Sequence, residues 1–166
     1  RLPYVFLLGI CCGFVSLYFT RMIYFLEGIF KKMKKPIWKF LLGSIILSTT
    51  IFVFPPLYGE GYDSIIKLLG GHADTITDES FFYAWKDNFG VLALFLALIV
   101  LFKVFATAAT NGGGGVGGTF APSLYVGCIF GFLFAFLVNH FNPFAISLST
   151  TNFALMGMAG VMSGVM

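Results

Sequence analysis

Four long apolar runs, separated by short polar breaks, set the frame of this chain. Residues 4–30 follow Pro3 and are long enough to cross a hydrocarbon core of about 30 Å with some tilt. Residues 37–54 form a second span, with Trp38 at one interface and Pro55-Pro56 as its stop. Residues 89–109 and 120–138 form a third and a fourth. The last segment is apolar and glycine-dotted, and Thr151-Asn152 are read as its cap. Between the second and third spans, residues 57–88 are polar. Within them 63–69 predict a short helix stopped by Gly70-Gly71, and the aromatic stretch 80–85 is expected at an interface. The pattern predicts an all-α polytopic transmembrane protein.

Small residues recur where helices must touch. Gly9 and Gly13 form a small-xxx-small pair, and Ser123, Gly127, Gly131 and Ala135 repeat every four residues to make one smooth face. Gly157, Gly160 and Gly164 do the same in the last segment.

Charge then orients the spans. Lys31, Lys32, Lys34, Lys35 and Lys39 hold five of the ten basic residues around Pro36, so loop 31–39 is expected to be cytoplasmic. Glu60, Asp63, Asp74, Asp78, Glu79 and Asp87 hold six of the seven acidic residues, which places loop 57–88 outside. Arg21 is read as snorkelling and Glu27 as interfacial. The stretch 139–143 carries no Lys or Arg and closes the fourth span, with His140 as a solvated loop residue.

Composition fixes the class. Hydrophobic residues make up 58% of the chain and charged residues 10%, with a mean hydropathy of +0.94. Soluble domains carry about 25% charged residues. A net charge of +3 without basic clusters among exposed aromatics argues against nucleic acid as a partner. Cys11, Cys12 and Cys128 all lie in apolar runs and read as small buried hydrophobes. His72, Asp74, Asp78 and Glu79 match no metal-ligand spacing, so neither a metal nor any other cofactor is expected. No His or acidic residue falls deep in a span to pair with Ser123 or Cys128, which argues against an embedded enzyme. The chain starts at Arg1 and stops at Met166 in mid-segment, as expected of one transmembrane ion-transport domain, 1–166, truncated at both ends.

Chemistry concentrates at residues 110–125, where six glycines in seven residues join the third span to the fourth. Non-helical backbone at membrane depth persists only where it is buried in protein or lines a polar cavity. Thr119 reads as an N-cap, and Pro122 falls in the first helical turn. Pro122 has no N–H for the cap to bond, so the N–H groups of Thr119, Phe120 and Ala121 are left to face a ligand. A helix N-terminus carries roughly +0.5 of a charge together with unpaired donors, and so attracts anions. A tight packing turn, in a membrane scaffold or assembly subunit with no ion site, is the alternative the same glycines permit. Lys103 reads either as a positive charge beside the anion path or as a side chain snorkelling to the inner surface. Its place near the inner end of the span favours snorkelling.

Gly117-Gly118-Thr119-Phe120-Ala121-Pro122-Ser123-Leu124, preceded by Lys103 and Thr107 on an apolar helix, resembles the CLC family of chloride channels and chloride/proton exchangers. The later segment Phe153-Ala154-Leu155-Met156-Gly157-Met158-Ala159-Gly160 resembles the stretch that comes next in the same proteins. The resemblance implies a piece of a CLC-type fold with a broken helix opening at the glycine-rich junction. It implies chloride transport across a lipid bilayer by a homodimer, with chloride held at Gly118, Thr119, Phe120, Ala121 and Pro122 by main-chain N–H groups. Most relatives carry an aliphatic residue where Thr119 stands. The family's Gly-Ser-Gly-x-Pro serine, its gating glutamate and its distal tyrosine have no counterpart here, so channel and exchanger both stay open.

Overall fold

The computed structural model describes residues 2–58, 61–72, 88–141 and 147–166. They form α1 (Leu2–Lys32), α2 (Pro36–Val53), a 3-10 turn (Pro55–Leu57), α3 (Tyr62–Leu69), α4 (Phe89–Gly112), α5 (Phe120–Phe141) and α6 (Thr150–Val165). Among the described residues there is no strand, and α1, α2, α4 and α5 are long and apolar enough to cross a membrane. The aromatic stretch 80–85, the acidic residues Glu60, Asp74, Asp78, Glu79 and Asp87, and the loop residues Asn142 and Pro143 lie outside the described residues.

Local chemistry explains most of the boundaries. Pro36 takes the first helical position of α2, where its fixed φ suits the helix and its missing N–H costs nothing. At the other end the Phe54 N–H still reaches Thr50 O at 2.9 Å, and then Pro55 and Pro56 offer no donor to continue the ladder. α3 ends as the sequence predicts. Gly71 turns left-handed at φ 82°, and the His72 and Gly71 N–H groups fold back onto Lys67 O and Leu68 O.

Three boundaries differ from the sequence reading. α4 runs on to Gly112, so the first glycine of the run is helical. α5 runs on to Phe141 and takes in Asn139 and His140. His140 is therefore helical rather than a loop residue; it stays exposed, with its ring stacked on Phe89 at 3.6 Å between centroids. The Asn139 amide both donates to Leu148 O and accepts from Leu148 N, each at 2.8 Å, which ties the end of α5 to the approach of α6. The cap of α6 is Ser149, whose hydroxyl accepts from Asn152 N, and not Thr151-Asn152.

α4 and α5 form the centre. Leu92, Phe95, Leu96, Ile99, Val100 and Val104 give α4 a buried stripe at helical spacing, and α1, α2 and α5 all pack on α4. α5 is buried on several faces and pairs most extensively with α6. The smooth face predicted on α5 forms that seam. A Cβ on Gly127 would meet Gly157 O at 2.5 Å, and one on Gly131 would collide with Phe153 O. The backbones touch because Gly127 and Gly131 of α5 and Gly157 of α6 put no side chain between them. α1 meets α6 through Cys12 against Gly160 and Ser16 against Gly164. Cys12 and Cys128 are buried, Cys11 is half-buried and all three are free thiols. α2 is the outlier and buries only Gly43.

Candidate anion cavity

The glycine run divides into two parts with different jobs. Its first half closes α4. Gly114 sits at φ 95°, and Gly115 N and Gly114 N reach back to Thr110 O at 2.9 Å and Asn111 O at 3.3 Å. This is the left-handed closure that lets a chain leave a helix with its last carbonyls satisfied. Gly113 lies against α2, where its own missing Cβ would stand 3.6 Å from Lys39 O. The second half is different. A Cβ on Gly118 would find only Phe120 N, at 3.9 Å, and nothing in the packing there demands glycine.

α5 then starts at Phe120. The Ser123 N–H donates to Thr119 O at 3.0 Å, so Thr119 occupies the cap position and contributes the first helical acceptor. Pro122 falls in the first turn, as the sequence predicts. Among the described residues, no carbonyl or side chain accepts from the N–H groups of Thr119, Phe120 or Ala121. The hydroxyl of Ser123 is turned inward onto Phe120 O at 2.7 Å. Those of Thr107 and Thr110 bond back along α4 to Lys103 O and Ala106 O.

The start of α5 opens onto a cavity of about 540 Å³. Gly118, Phe120, Ala121 and Pro122 line it together with Lys103 and Thr107 of α4. Of the five residues singled out in the sequence, four thus line one cavity, and Thr119 stands among them in the chain as the half-buried cap. The turn after α2, through Leu57 and Tyr58, and Tyr62 of α3 line it as well.

Lys103 corrects the sequence reading. It does not snorkel: it is 3% exposed, and its Nζ donates to Leu57 O at 3.1 Å. The same ammonium lies 4.7 Å from the centroid of the Tyr125 ring, within cation–π range. The reason is distance along the helix. α4 continues nine residues past Lys103 to Gly112, about 13 Å at the helical rise, which is beyond the reach of a lysine stem.

Tyr125 is what the sequence reading missed. It is fully buried, and its hydroxyl donates to Pro56 O at 2.8 Å. A large aromatic with a polar tip, close to a predicted site and one turn from its helix start, was the signal available.

The whole chain, residues 1–166, matches the family model described as voltage gated chloride channel. It is 27% identical over 157 residues to a putative chloride channel protein ClcB-like of Ralstonia nicotianae, covering 94% of this chain and 32% of that protein. It is 30% identical to chloride channel protein CLC-f of Arabidopsis thaliana over 99% of this chain and 21% of that protein. With the voltage-gated ClC-type chloride channel ClcB of Escherichia coli it shares 30% identity over 60% of this chain and 19% of that protein. No solved structure matches. The chain therefore spans a third or less of the length of these relatives. A match that runs from the first residue to the last, on an all-helical fold with four candidate spans and a broken helix at the glycine run, makes this chain an integral, multi-pass membrane protein of the voltage-gated chloride channel family.

Proposed function

We propose that this chain is part of one ion-transport domain that moves chloride across the membrane, and that chloride pauses at the start of α5. The observation that carries this reading is the opening of α5 onto the cavity. Three main-chain N–H groups without a described acceptor stand at a helix N-terminus beside open volume, which a buried lysine also lines. Donors of this kind, fixed in place, replace part of an anion's hydration without side-chain charge. The relatives' names as chloride channels support the ion.

One helix terminus supplies about 0.3–2 kcal/mol through its dipole. A bare ion loses far more on leaving water, so the remaining ligands belong to chain outside these 166 residues. The whole protein acts as a homodimer in this reading, with loop 31–39 on the cytoplasmic side and 57–88 outside, and it is a transporter rather than an enzyme.

Chloride flux from proteoliposomes, carrying the protein expressed from its complete reading frame, tests the proposal. Chloride movement that drives protons uphill identifies an exchanger, and movement without proton coupling identifies a channel. Absence of flux would leave the glycine run as a packing turn, in a scaffold.

A further inference from the structure

The turn between α2 and α3 presents two backbone carbonyls that its own geometry cannot satisfy. Within the 3-10 turn the Leu57 N–H takes Phe54 O and the Tyr58 N–H takes Pro55 O. The carbonyls of Pro56 and Leu57 are left over, and buried carbonyls need partners. Each receives one from a different central helix. Tyr125 of α5 donates to Pro56 O at 2.8 Å, and Lys103 of α4 donates to Leu57 O at 3.1 Å. The two donors also touch each other, ammonium over ring at 4.7 Å. On the α3 side the backbone of Gly61, at φ 82°, lies so close to the Tyr125 ring that a Cβ there would collide with it.

The knot is buried and polar at the heart of a membrane protein. An ammonium in such a place is costly and marks function when it is kept. Its location says which function. Leu57 and Tyr58, the residues on the clamped turn, line the same cavity as Phe120, Ala121 and Pro122.

On the chloride reading proposed for α5, we infer that Lys103 and Tyr125 are positioning residues for the anion. Together they hold the Pro55–Leu57 turn against α4 and α5, and so fix the width of the cavity at the first turn of α5. Neither contacts chloride in this scheme. Their loss lets the wall relax away from the N–H groups and weakens the anion's hold.

The test is chloride flux against chloride concentration in proteoliposomes, with the protein expressed from its complete reading frame. Tyr125→Phe removes one hydroxyl and keeps the ring, and should raise the half-saturating chloride concentration about threefold to tenfold, the effect of one lost hydrogen bond. Its maximal rate should stay within about twofold. Lys103→Met should act in the same direction, and Lys103→Arg, which keeps a charged donor over the ring, should restore half-saturation to within about twofold. The Tyr125→Phe/Lys103→Met pair should lose less than the product of the single effects, because both hold the same turn. Unmoved half-saturation in Tyr125→Phe protein that elutes as a folded species would overturn the inference, whatever Lys103→Met does. A loss of thermal stability with half-saturation unmoved would likewise reduce the knot to packing. No flux from the unaltered protein is a separate result: it overturns the chloride reading first and this inference with it.

Discussion

Gly43 of α2 and Gly113, at the end of α4, meet backbone to backbone. A Cβ on Gly43 would stand 3.1 Å from Gly113 Cα and 2.9 Å from Ala109 O. Since Gly43 is the one buried residue of α2, this contact is what seats that helix. Gly43→Val should therefore destabilise the protein by about 1–3 kcal/mol, the usual cost of forcing extra methyls into a closed contact. Thermal unfolding in detergent measures it. An unchanged midpoint would mean that α2 is held elsewhere.

Gly114 carries the left-handed turn that ends α4, at φ 95°. Gly114→Ala should cost about 1–2 kcal/mol. Gly114→Asn should cost less, because asparagine tolerates this region. Equal melting of the two variants would show that backbone strain is not the cause.

Ser149, rather than Thr151, caps α6. Ser149→Ala should lose about 0.5–2 kcal/mol. The Thr151 hydroxyl donates to Leu69 O at 3.4 Å, the same length as the cap bond, but satisfies no N–H at the helix end, so Thr151→Ala should cost less than Ser149→Ala. A reversed order in the same melting assay would return the cap to Thr151.

For the anion itself, Phe120→Pro removes one N–H at the first helical position, where proline is well tolerated. Half-saturating chloride should rise about tenfold or more, as for a donor lost to a charged ligand. Ser123→Ala serves as the control, because that hydroxyl already bonds Phe120 O and is turned away from the cavity contacts. Chloride affinity unchanged in folded Phe120→Pro protein would count against main-chain binding there.

Periodicity and punctuation made the architecture legible. The spans, the α3 stop at Gly70-Gly71, the small-residue face of α5 and the helix start after Thr119 all come from local chemistry, and the structure has them. What stayed hidden depended on which of several equivalent residues the backbone selects, or on contacts across long stretches of chain. Ser149, Thr150, Thr151 and Asn152 are all good caps, and only the extended backbone at Ser149 decides among them. Lys103 lies 46 residues from Leu57 and Tyr125 lies 69 from Pro56, so no local pattern announces either bond.

The unequal enclosure of the helices has an evolutionary consequence. In the apolar window of α5 56% of residues are buried, and in that of α2 only 6%. Mutational tolerance should divide along the same line. Nearly every change in α5 must be matched by a neighbour within these helices, whereas in α2 the described residues place that constraint on Gly43. The helix proposed to hold the ion is thus the one least able to wander.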